Sequence, residues 1–189
     1  MAAVAPLTAG IAKTYAIDKT HSDVSFQIRH LVTKVRGRFA DFDARIRVVS
    51  EAPEESSVRF TIHAASVDTD LPDRDQHLRS ADFFDAEHHP EITFVSTRIR
   101  STGDDQYDVT GLITLRGVRR EITLPVAFLG FATDPWGNEK AGFETQLVLN
   151  RKDFGMVWNA ALDNGGVVLG EKVTVSIALE AVREKDAAA

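Results

Sequence analysis

"YDVTGLITLRGVRREITLPVAFLG", residues 107–130, decides the fold. Its apolar residues fall on alternate positions: Tyr107, Val109, Ile113 and Leu115, with Gly111 among them, and then Ile122, Leu124, Val126 and Phe128. Successive side chains of a strand point to opposite faces, so a period of two marks a strand with one buried side. Gly117 sits between the two runs and supplies turn chemistry. The stretch therefore predicts two antiparallel strands joined by a tight turn.

The same alternation extends in both directions. "VSFQIRH" sets Val24, Phe26 and Ile28 against Ser25, Gln27 and Arg29. "VRGRFADFDARIRV" carries Val35, Gly37 and Phe39, then changes phase to Phe42, Ala44, Ile46 and Val48, which predicts a bulge near Asp41. "SVRFTIHA" gives Val58, Phe60, Ile62 and Ala64, and "EITFVSTRI" gives Ile92 and Phe94. "GFETQLVLN" gives Phe143, Thr145, Leu147 and Leu149, and "EKVTVSIALEAV" gives Val173, Val175, Ile177 and Leu179.

Eight long antiparallel strands in meander order leave two exposed edges unless the sheet closes on itself. The expected fold is thus all-β, an extended eight-stranded antiparallel barrel. Such a barrel is either filled by its own side chains or wide enough for one small ligand. The inward set contains almost no charge, so a guest in any cavity is apolar. On the strand "ITLPVAFLGFA", Pro125, Ala127, Leu129 and Phe131 stand opposite the inward set. An outer apolar face of that kind predicts a subunit contact or a packed terminal arm.

A chain of 189 residues suits one domain, and it has no cysteine, which removes thiolate metal sites and disulfides. Twenty-two basic against 28 acidic residues leave a net charge of −6, which disfavours a nucleic-acid partner. The pairs Arg36 with Arg38 and Arg119 with Arg120 read as solvated faces. No apolar run approaches the roughly 20 residues of a membrane-spanning helix. The opening "MAAVAPLTAGIAK" lacks the basic start of a secretory signal, so a cytoplasmic protein is expected. Residues 1–14 read as a flexible arm, 15–183 as the barrel domain and 184–189 as a disordered tail.

One stretch breaks the pattern. "DRDQHLRSADFFDAEHHPEITF", residues 73–94, crowds His77, His88 and His89 among five acids before the strand resumes. One reading is a metal-dependent hydrolase built on these histidines. Against it, Ala81 follows His77 by four residues, and adjacent His88 and His89 diverge in either regular structure. The other reading is a short helical connection around residues 71–90. Pro72 suits its first turn, Asp73 and Asp75 its positive end, Ser80 a second cap, and Pro90 ends it. Leu78, Phe83 and Phe84 then anchor the connection on the barrel end. His21, His30 and His63 read as rim residues, and Trp136 and Trp158 as loop or rim aromatics covering the core end or gating an opening. No GxSxG elbow marks a nucleophile.

Five separated stretches resemble the YceI-like family of lipocalin-like polyisoprenoid-binding proteins. They are "DKTHSDVSFQIRHLVTKVRGRFADFDARI" from Asp18, "LRSADFFDAEHHPEITFVST" from Leu78, "VTGLITLRGVRREITLPV" from Val109, "WGNEKAGFETQLVLNRKDFGM" from Trp136 and "LGEKVTVSIALEA" from Leu169. They fall in the family's order and span roughly residues 15–182. The resemblance implies an eight-stranded barrel around a long apolar tunnel that holds an isoprenoid, an isoprenoid quinone or another long-chain lipid. It implies no metal, no cofactor, no enzymatic activity and a homodimer. The residues expected to line the tunnel are Phe26, Ile28, Phe39, Phe42, Phe60, Ile62 and Phe94, with Phe83 and Phe84 of the connection. On the later strands they are Ile113, Leu115, Leu124, Phe128, Phe143, Leu147, Val175 and Ile177.

Overall fold

The computed structural model describes residues 12–161 and 167–185. Eleven strands form one antiparallel sheet that closes into a barrel. They are β1 (Ala12–Ile17), β2 (Asp23–His30), β3 (Thr33–Phe39), β4 (Phe42–Val49), β5 (Ser57–His63), β6 (Val67–Asp68), β7 (Glu91–Gly103), β8 (Gln106–Leu115), β9 (Val118–Thr133), β10 (Glu139–Asn150) and β11 (Leu169–Arg183).

Three pairs of consecutive strands are single barrel strands broken by a corner. β1 and β2 lie against β4 and β3, and β5 and β6 lie against β4 and β3 in turn. Counted that way the barrel has eight strands, and β1 closes it by pairing with both β4 and β11. The phase change near Asp41 is one of these corners. There the Ala40 amide donates to Ser66 and the His63 amide donates to the Asp41 carbonyl.

Residues 107–130 form the β8–β9 hairpin, with Leu115 opposite Val118. Arg116 and Gly117 both have positive φ, 50° and 72°, the twist that a two-residue turn between right-twisted strands requires. Gly111 has a different task. A Cβ there would come within 2.5 Å of the Phe94 ring, so the missing side chain lets that ring lie across the strand.

Two expectations change. The arm boundary moves, because Ala12–Ile17 is a strand whose Tyr15 is fully buried. Residues 1–11 and 186–189 lie outside the described residues, whereas Glu184, assigned to the tail, donates its amide to Thr14. Phe131 does not share an outer face with Leu129. The register of β9 against β10 shifts between Phe128 and Gly130, whose φ is +98°, and the alternation reverses there. Phe131 consequently turns toward the barrel mouth, 4.8 Å from Phe128 and 6.0 Å from Tyr15 between ring centres, and remains 45% exposed there. Leu129, at the bulge, stays exposed.

The connection is helical where expected, with α1 at Pro72–Arg79 followed by turns up to Pro90. Asp75 lies in the first turn of α1, as expected, and does more than meet the helix end. It is buried and accepts from the backbone amide of Thr69 at 2.8 Å and from the Thr69 hydroxyl, which ties α1 to the end of β6.

Candidate functional site

The inward faces of the strands enclose a cavity of about 770 Å³ that runs along the barrel. At the α1 end its lining includes Asp73, Arg74, His77, Arg151 and Trp158; at the other end it includes Arg47, Ser50, Ser56 and Asp105. Between them the wall is dominated by Phe, Val, Ile and Leu. Phe26, Phe39 and Phe84 form a chain of ring contacts at 5.6 and 5.5 Å, and Phe128 meets Phe143 at 5.5 Å.

Every residue expected from the sequence to line the tunnel contributes to this wall except Phe42. Phe42 follows the corner directly and is buried; its ring stacks on Phe60 at 6.1 Å, so it belongs to the packed core. The wall also holds Phe131, turned inward by the bulge, and Ile99, whose parity is reset by the register shift between Ser96 and Arg98. No local alternation announces either residue.

At the α1 end an aromatic cluster stands over the tunnel. His77 meets Phe83 at 5.0 Å and Trp158 at 4.8 Å, both edge-on, and Phe83 lies 5.4 Å from Trp158. Trp136, in contrast, sits exposed in the β9–β10 loop, where Asp134 accepts from its backbone amide. The segment after β10 forms a 3₁₀ turn at Arg151–Phe154. The Asn150 side chain caps Lys152, and Gly155 takes φ +76°. Arg151 within it is 2% exposed and donates to the carbonyls of Gly170 and Met156 at 2.8 and 2.6 Å. Its Nη2 and the Thr145 hydroxyl are buried without a hydrogen-bond partner among the described residues.

The three histidines of the connection do not converge. His77 bonds Asp82 at 2.8 Å, whereas His88 bonds Asp85 at 2.8 Å. That hydrogen bond raises the pKa of His88 and lowers that of Asp85. His89 packs its ring against Gly117 and lies 3.9 Å from the same Asp85 carboxylate, so His88 and His89 share one aspartate while His77 stands apart. Among the described residues, the three candidate ligands whose donor atoms do converge are Asp18, His21 and Glu180. The ammonium of Lys140 already lies there, 2.6 Å from Asp18 and 2.8 Å from Glu180. Its hydrogen bond is the largest cause holding the Asp18 carboxyl well below the usual carboxylate range. This is an internal ion-pair network at the corner between β1 and β2.

A family model for the YceI-like domain matches residues 15–181, nearly the whole barrel. The chain belongs to the YceI-like family. Protein YceI of Escherichia coli is 39% identical over 178 residues, covering 93% of this chain and 90% of that protein. The crystal structure of BcnA from Burkholderia cenocepacia superposes with a TM-score of 0.77 at 25% identity, covering 87% of this chain and 98% of BcnA. A polyisoprenoid binding domain from Saccharophagus degradans, implicated in plant cell wall breakdown, shares the fold with a TM-score of 0.68 at 15% identity. That match covers 90% of this chain and 98% of that domain.

Proposed function

We propose that this YceI-like barrel carries or sequesters a polyisoprenoid, an isoprenoid quinone or another long-chain amphipathic lipid, without catalysis. The observation that carries the reading is the apolar tunnel of about 770 Å³, a volume within the range of roughly 300–1,000 Å³ typical of ligand pockets. Each CH₂ of a guest that leaves water contributes about 0.8 kcal/mol, so a long tail binds tightly without specific polar contacts. The likeness to a polyisoprenoid binding domain agrees with that chemistry. Nothing among the described residues supports the hydrolase alternative: His77 pairs with Asp82, apart from His88 and His89, which both approach Asp85.

Organic extraction of the purified protein, followed by mass spectrometry, is expected to recover a long apolar molecule. Phe60 and Phe94 face each other across β5 and β7 in the wall, so F60D or F94D is expected to abolish uptake of a fluorescent prenyl or acyl probe. Undiminished uptake in a folded F94D variant, or a protein that takes up no probe after delipidation, would overturn the reading.

A further inference from the structure

Residues 24–40 contain no acid in a chain of net charge −6, yet they hold Arg29, Lys34, Arg36 and Arg38. These residues make the β2–β3 hairpin apart from Asp23, the first residue of β2, which lies at the end away from the tip and acts on Arg38. Its cross-strand register sets Arg29 directly opposite Lys34, and Gln27 opposite Arg36. Like charges paired across a ladder repel. Arg38 is neutralised by Asp68 at 2.7 Å. Arg29 donates its Nε to the Leu31 carbonyl at 3.0 Å, and neither Lys34 nor Arg36 has an acidic partner among the described residues. Arg29, Lys34 and Arg36 line one shallow cleft together with Val32 and Thr33.

The tip of the same hairpin is apolar. Leu31, with φ +52°, turns the chain and leaves Val32 95% exposed. The Leu31 amide donates to Val168 at 2.9 Å, which brings the exposed side chain of Val167 close to the tip. His30, Val35 and Val168 all contribute to the tunnel lining, so the tip stands at the α1 end of the tunnel. On the adjoining strand Lys172 is exposed, and the neighbouring acid Glu171 is occupied by Lys152 at 2.6 Å.

We infer that the β2–β3 hairpin docks this protein on an anionic lipid surface, with Leu31 and Val32 entering the interface and Arg29, Lys34 and Arg36 meeting lipid phosphates. The charge complementarity identifies the occupant. An uncompensated basic cluster around an exposed apolar tip matches a surface that is anionic above and apolar beneath. Docked this way, the tunnel end faces the bilayer, and an apolar guest passes between membrane and barrel with little exposure to water. The docking goes beyond the carrier reading and does not depend on it, whereas the passage of a guest rests on that reading.

Co-sedimentation of the full chain with vesicles of phosphatidylcholine, with and without phosphatidylglycerol, tests the inference. Binding is expected only to the anionic vesicles and is expected to weaken as salt rises. Replacing both Lys34 and Arg36 by Gln removes two surface cations and is expected to weaken that binding about 30-fold, at the strength typical of basic residues near an anionic membrane. V32D weakens it further, while probe uptake by the tunnel without vesicles is unchanged in all variants. Wild-type protein that ignores anionic vesicles, or a K34Q/R36Q variant that binds them equally, overturns the inference. So does a hairpin variant that changes only the mass in solution, which would make the tip a contact between copies. Vesicle binding without probe uptake would leave the docking intact and sink the carrier reading instead.

Discussion

Thr145 places a hydroxyl on the inner face of β10 between Phe143 and Leu147, buried and without a hydrogen-bond partner among the described residues. It occupies the last position where β10 pairs with β9, opposite Val126. The next residue of β9 is Pro125, which has no amide to offer a ladder. Burying an unsatisfied hydroxyl costs roughly 1–3 kcal/mol. T145V removes the hydroxyl at nearly the same shape and is expected to raise the stability of the delipidated protein by about 1 kcal/mol. In a chain of this size that is roughly 2–4 °C in melting temperature, read by calorimetry. A lower melting temperature would mean that the hydroxyl is satisfied in solution by a trapped water.

At the scale of elements, the ion-pair corner between β1 and β2 is where stability depends on pH. Asp18 accepts from Lys140, from His21 and from the Thr20 amide, which depresses its pKa in the folded state. A depressed carboxyl stabilises the fold above its unfolded value of about 3.9, and that contribution fades as the pH falls towards the folded value. D18N is therefore expected to cost about 1.5–3 kcal/mol at neutral pH, the worth of a hydrogen bond to a charged group. The gap between wild type and variant should narrow below about pH 4, as followed by urea unfolding at several pH values. The same corner marks the limit of what the sequence makes legible. Eight alternating stretches were readable because each buries a regular face of its own. The β1 strand was not readable, since one buried tyrosine in "AKTYAI" makes a weak pattern and its partners lie far off in β4 and β11. Phe131 and Ile99 escaped for a related reason, because a one-residue bulge inverts parity without leaving a local signature. The tunnel wall was largely legible as the inward set, whereas Arg151 and Trp158 reach it from turns with no periodicity.

For the whole molecule, the tunnel means that the barrel forgoes part of the packing a filled core would supply. Its lining rings meet space on one side, and an apolar guest restores the missing contacts. Anything that binds the folded state alone stabilises it by mass action, by about 2.7 kcal/mol when the free guest is at 100 times its dissociation constant. At roughly 2–4 °C per kcal/mol, the loaded protein is expected to melt about 5–10 °C above the delipidated one. The shift should follow guest concentration logarithmically and should grow with tail length, because each added CH₂ buries more surface. A series of saturated acyl probes measured by scanning calorimetry checks both features. A shift that levels off at a given tail length would report the length the tunnel accommodates. Equal melting temperatures with and without a bound tail would mean that the barrel repacks on losing its guest, with the Phe26, Phe39 and Phe84 rings closing on the vacated space.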